Sequence, residues 1–148
     1  MDDSAVPENF LQADVTVDGK RHIIFSTPVQ LDYIASTKCQ FVDGTFDVIK
    51  APFKQLYSFH GFLKVVELMK PVPLVFVFMS GIRKRDYRRV LRTLKQLVLT
   101  LNPAAIVMDF EAAMWRAATA AVFTQTRVTS LFGCDFHWTQ AVWRKDKN

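Results

Sequence analysis

The sequence predicts a mixed α/β layer, an antiparallel three-strand meander continued by helix, strand, helix, strand and the start of another helix. Three observations lead there. First, the strand-like runs Gln40 to Phe46, Gln55 to Leu63 and Pro73 to Met79 follow one another, with breaks expected at Asp43-Gly44, at Ala51-Pro52 and at Lys70-Pro71 with Pro73. The third run, LVFVFM, has no polar alternation and belongs inside a sheet. Second, Tyr87, Val90, Leu91, Leu94, Leu97, Val98 and Leu101 recur at steps of three and four, the apolar stripe of a helix that Asn102-Pro103 should end. Third, the short apolar run Ala104 to Met108 lies between two helical patterns, as a strand joined through helices does.

The remaining elements follow in order. The acidic opening to about Asp14 should be loose. Lys20 to Ser26 reads as a short strand, and Thr27 to Ser36 as a short helix entered through Thr27 and Pro28. Glu111 to Phe123 is alanine-rich and helical, Arg127 to Gly133 is a strand, and Asp135 opens a helix. We divide the chain into a flank, residues 1–38, and a core, residues 39–148.

Half of the 148 residues are hydrophobic, enough for one packed core and too few for two ordinary domains. Two cysteines, Cys39 and Cys134, make no disulfide framework, so a reduced intracellular setting is expected. The longest apolar run, Val72 to Met79 broken by Pro73, is too short to span a bilayer, so no membrane partner is expected. The net charge of +5 permits a polyanionic partner. Its distribution says more: Arg83 to Lys95 holds seven basic residues against one acid, Asp86. Arg85, Arg88, Arg89, Arg92 and Lys95 fall largely off the apolar stripe, as DNA-phosphate contacts or simply as a solvated helix face.

Two carboxylates stand out. Asp43 lies in the first core strand and Asp109 at the end of the strand after the basic helix. If those strands are neighbours, both acids reach one point and suit a hard cation such as Mg²⁺, which takes carboxylate oxygens. The alternative is that Asp43 precedes Gly44 in a turn and Asp109 caps a helix. Cys134-x-x-His137 is either half of a zinc site, with Cys39, His22 and His60 as the remaining Cys or His candidates, or a buried thiol beside an orienting imidazole. Trp115, Trp138 and Trp143 read as core or capping residues.

Taken in order, Val42-Asp43-Gly44-Thr45-Phe46, Pro52-Phe53-Lys54-Gln55-Leu56, Asp109-Phe110-Glu111 and Gly133-Cys134-Asp135-Phe136-His137 resemble the landmarks of Mutator-like (MULE) transposases. Ile23 to Thr27 and the helix around Tyr87 look like that family's flanks. The resemblance implies a ribonuclease H-like fold in which Asp43 and Asp109 bind Mg²⁺ or Mn²⁺ and a distant Glu completes a DDE triad, with His137 near the carboxylates or DNA phosphate. It further implies DNA as partner, a nuclear setting, and cut-and-paste strand cleavage and transfer. Glu111 matches the DFE segment and not the triad acid; in the first turn of a helix it is expected to be structural or to support the site residues from behind. The triad Glu would follow a helical insertion beyond His137, and Asn148 comes eleven residues after that histidine. The expectation is therefore an incomplete domain, inactive or nearly so alone. The alternatives are a non-catalytic nucleic-acid- or protein-binding module of transposase descent, and a self-sufficient nuclease using Glu111 or Asp47 as third acid.

Overall fold

A computed structural model describes residues 7, 9–108, 112–117 and 130–133. The elements are β1 (Leu11–Val17), β2 (Lys20–Phe25), α1 (Pro28–Ser36), β3 (Cys39–Phe46), β4 (Gln55–Val65), β5 (Leu68–Met79), α2 (Lys84–Leu97), β6 (Ala105–Met108), α3 (Ala112–Ala117) and β7 (Ser130–Gly133). The strands make one mixed sheet in the order β1-β2-β5-β4-β3-β6-β7. The pairs from β1 through β3 are antiparallel, while β3–β6 and β6–β7 are parallel. The expected meander is thus β3, β4 and β5, and the expected helix, strand, helix, strand is α2, β6, α3, β7. The expected helix from Asp135 lies outside the described residues.

Four local expectations need correction. The opening is not loose up to Asp14, because β1 begins at Leu11 and pairs along β2. The signal was Asp18-Gly19, whose φ values of 47° and 76° suit the two-residue turn that joins twisted antiparallel strands. Asp43-Gly44 is not a break, since both residues lie inside β3. Pro71 and Pro73 lie inside β5, where they pair with Phe62 and His60 of β4. They are tolerated there because β2 accompanies β5 only from Phe76 to Met79, so this half of β5 is an edge on its other side. Finally, α2 stops at Leu97 and not at Asn102-Pro103. A turn closed by Leu101 N–H donating to Val98 O lets Val98 and Leu101 stay buried after the helical backbone has ended, so the apolar spacing outruns the helix.

α1 forms as expected. Thr27 is its N-cap: the Gln30 N–H donates to Thr27 Oγ1 at 3.1 Å and the Thr27 N–H to Gln30 Oε1 at 2.8 Å, a capping box with proline at the first turn. Ile34 buries the helix against the sheet.

Side chains alternate across a strand, and the register sorts them onto two faces. His22, Ile24, Val77, Met79, Gln55, Tyr57, Phe59, Gln40, Val42, Ile106 and Met108 are all buried and share one face. α2 covers that face with Tyr87, Val90, Leu91 and Leu94. Its anchor is Tyr87, whose ring lies 5.3 Å from that of Tyr57 and whose hydroxyl donates to Gln55 Oε1 at 2.9 Å. Gly44 makes room for this contact, because a Cβ there would stand 1.9 Å from Gln55 Nε2 and 3.2 Å from the Tyr57 ring. Gly44→Ala should therefore cost about 1–3 kcal/mol as an overpacking change, seen as a lower urea midpoint at unchanged slope. A variant as stable as the parent would mean that Gln55 swings aside freely.

The start of α2 is tied to β2 by a buried polar cluster. Asp86, fully buried, accepts from the Arg83 backbone N–H at 2.9 Å and from Arg83 Nε at 3.0 Å, and its other oxygen lies 3.0 Å from His22 Nε2. Burial works against the Asp86 charge, but the hydrogen bonds from Arg83 and His22 outweigh it and hold the carboxyl below its ordinary value. Burial lowers His22, only partly offset by Asp86, so the fold disfavours the imidazolium. Its Nδ1 is buried without a partner among the described residues, so a second proton there would find no acceptor.

Both shifts carry the same sign in stability. Below about 6.5 the unfolded chain takes up a proton on His22 that the fold resists, and below about 4 it takes up another on Asp86. Stability should be full above pH 6.5 and fall as pH drops through the two windows in turn. His22→Gln should make the upper window shallower in a series of urea titrations between pH 7 and 5, leaving the part due to His60, which burial also lowers; an unchanged slope would show that His22 does not contribute. No helix among the described residues is long and apolar enough to cross a membrane.

Candidate functional site

Asp43 stands in the interior of β3 on the face opposite α2. The assignment follows from its neighbours: Val42 is buried against the helix side, and a Cβ on Gly44 would point to Gln55 and Tyr57 on that same side, so the residue between them points away. Asp43 is half-buried. Ser58 of β4 lies directly across and donates from Oγ to the Asp43 carbonyl at 3.4 Å. The turn alternative for Asp43 is thereby overturned.

This face is aromatic. Phe25 packs on Phe78 at 5.1 Å and on Phe10 at 5.4 Å, and Phe53 packs on Phe78 at 5.6 Å. Phe76 is paired with Ser58, and Phe41 with His60, whose rings meet edge to face at 5.7 Å. These side chains are half-buried, a low-dielectric floor on which a carboxylate charge acts over a longer range than in water.

His60 is the residue that sequence reasoning undervalued. It pairs with Phe41, two positions before Asp43 on the same face, so His60 and Asp43 are diagonal neighbours on adjacent strands, their Cα atoms roughly 7–8 Å apart by ordinary sheet geometry. Burial lowers the His60 pKa, partly offset by a hydrogen bond with the Phe41 backbone and by the charge on Asp43. Its Nδ1 is buried without a hydrogen-bond partner among the described residues. Alternation alone places residues 56, 58 and 60 on one face; the pairing register that sets His60 beside Asp43 was not legible in the sequence.

β6 brings the second candidate strand alongside. It runs parallel to β3 with Cys39 paired to Ala105, Phe41 to Val107 and Val42 to Met108. Asp109 is the residue after Met108 in the chain, but it lies outside the described residues, as do Glu111, Cys134 and His137. Cys134 follows Gly133, the end of β7, which pairs with Met108. Of the further zinc candidates, His22 is engaged with Asp86 on the helix side, whereas Cys39, a half-buried free thiol, and His60 lie on the Asp43 side. Among the described residues no three His, Cys, Asp or Glu side chains are gathered as a metal cluster. What they supply is one carboxylate, a hard oxygen donor suited to Mg²⁺ or Mn²⁺, with an imidazole beside it.

The basic residues lie elsewhere. Arg85, Arg89 and Arg92 are exposed and Arg88 and Lys95 half-buried, all on α2, which covers the face opposite Asp43. Arg85 is ion-paired with Asp18 in the β1–β2 turn. Comparison of the chain with protein-family models and with curated protein sequences returned no match.

The pairing of charges on the Asp43 face has a direct test. Because the Asp43 carboxylate raises His60 against the effect of burial, Asp43→Asn should lower the His60 pKa further below its parent value in a proton NMR titration of the imidazole. An unchanged or raised value would show that the two side chains do not sense each other.

Proposed function

We propose that this chain carries the first two carboxylates of a metal-dependent DNA strand-cleavage and transfer domain of the MULE transposase type, with a ribonuclease H-like sheet. The observation that carries the reading is the parallel pairing of β3 with β6. Val42 of β3 is opposite Met108, the last residue of β6, and in the sequence each is followed directly by an aspartate, Asp43 and Asp109. Strand alternation turns the Asp43 carboxylate to the aromatic face, two residues after Phe41, which forms a register pair with Val107. The resemblance implies a ribonuclease H-like fold, and the mixed α/β sheet with its antiparallel meander supports that reading.

In this reading Asp43 and Asp109 hold Mg²⁺ or Mn²⁺, which when bound activates a water or hydroxyl and stabilises the leaving oxygen of a phosphodiester. The chain's own residues do the rest. β3 holds Asp43 in place, the half-buried phenylalanines limit water around it, and His60 stands beside it to orient the carboxylate or a ligand of it. DNA is the partner and the nucleus the setting that the same resemblance implies. A second reading, a nucleic-acid-binding module without strand chemistry, is favoured by one observation: the basic surface of α2 lies on the opposite side of the sheet from Asp43.

Mn²⁺ binding separates the two. In calorimetric titrations of the full chain, Asp43→Asn and Asp109→Asn should each weaken Mn²⁺ binding by about tenfold or more, near the worth of one charge-assisted hydrogen bond. Asp32→Asn, at an exposed position on α1, should leave it unchanged. If the two substitutions behave like Asp32→Asn, the carboxylates do not form a metal site and the non-catalytic reading stands.

A further inference from the structure

α2 has the sequence KRDYRRVLRTLKQL, and its apolar side is spent on the sheet. Its one acid, Asp86, is fully buried and bound by Arg83 and His22, so it offsets nothing on the outside. What remains outward is Lys84, Arg85, Arg89 and Arg92, exposed, flanked by the half-buried Arg88 and Lys95. α3 packs against α2 and adds Arg116, also exposed. Among the described residues the two helices present no exposed acid; Arg85 takes its partner, Asp18, from the β1–β2 turn.

The cations recur at steps of three and four from Arg85 to Lys95, a row about 15 Å long at 1.5 Å per residue. A DNA duplex carries one charge per about 1.7 Å of its axis, so such a row meets several phosphates at once. The row faces away from Asp43. A helix about 10 Å thick and the sheet itself stand between the two surfaces, and DNA with a persistence length of about 150 base pairs does not bend around a body this small without large cost. One straight duplex segment therefore cannot touch both.

We propose that the outer face of α2 is a docking surface for the phosphate backbone of double-stranded DNA, independent of metal and distinct from the Asp43 face. It holds one duplex segment while the Asp43 face is left open to another. The docking rests on α2 alone; only the role of the second segment rests on the function proposed above. Contacts of this kind position a duplex without reading its sequence, because they reach phosphates and not base edges.

The test is fluorescence anisotropy of the full chain with a labelled duplex of about 30 base pairs, in EDTA, across a salt series. Arg89→Glu with Arg92→Glu should weaken binding at low salt by about tenfold or more and reduce the slope of log affinity against log salt by about two, one for each phosphate that the variant leaves unneutralised. The milder pair Arg89→Gln with Arg92→Gln should give the same slope change and serves if circular dichroism shows the Glu pair misfolded. Lys50→Glu with Lys70→Glu, exposed lysines away from α2, should have a smaller effect, and Asp32→Asn, exposed on α1, none. The proposal is overturned if the α2 variants change binding no more than the Lys50 and Lys70 pair does. It is equally overturned if the parent chain ignores the duplex while binding polyglutamate through Arg89 and Arg92, which would make an acidic protein the partner. Loss of Mn²⁺ binding in Asp43→Asn with these results unchanged would leave the docking surface standing, whereas an intact docking surface with no metal site would remove only the catalytic reading.

Discussion

The two-residue alternation of β3 is the constraint on which both sides of this protein depend. Gln40, Val42 and Gly44 face the helices; Cys39, Phe41 and Asp43 face the other way. A slip of one residue in its pairing would turn Asp43 into the core under α2 and put Val42 on the aromatic face. That slip is opposed on three sides. Val42 is locked between Phe59 and Met108, which are both buried, and Gly44 is the one position at which Gln55 and the Tyr87 anchor can close over the strand. The strand that carries the carboxylate is thus held by packing on the helix side, the face away from the carboxylate itself.

The same sheet keeps unlike chemistries apart. On the helix side, Gln55 is engaged with Tyr87, and Asp86 with Arg83 and His22. A buried charge survives only where its hydrogen bonds are met, and Asp86 has them from two elements. On the other side a carboxylate and an imidazole lie among half-buried phenylalanines, where charge is felt strongly and the carboxylate shifts the imidazole. The excess of positive charge is displaced to the outer surface of α2, so the basic helix and the acidic position, which sequence proximity to a common motif set invites one to join, act on different surfaces.

Much of this was legible in the residues. The meander, the run of apolar residues in β5, the cap of α1 at Thr27-Pro28 and the helix around Tyr87 follow from local chemistry: alternation, proline and capping preferences, and the three-and-four spacing. The misreadings are also local in origin. Asp43-Gly44 looks like a turn because Gly usually marks one, yet here Gly is needed for the close approach of Gln55. Pro71 and Pro73 look like strand breakers because a central strand cannot spare their N–H groups, yet half of β5 is an edge. β1 was missed because its acidic start masked a turn at Asp18-Gly19 that pairs it with β2.

The sequence by itself determined most of the strands and helices from Lys20 onward, the apolar faces they must bury, and the two carboxylates that merit attention, because each of these is written in the spacing of residues along a few turns or strand steps. Only the tertiary structure decided what lies beside what. The parallel register of β3 on β6, the nearness of His60 to Asp43, the capture of His22 by Asp86 and the placing of the arginines behind the sheet all join residues about 17 to 66 positions apart in the chain. Such pairings are chosen by the packing of the whole core, and no local pattern encodes them.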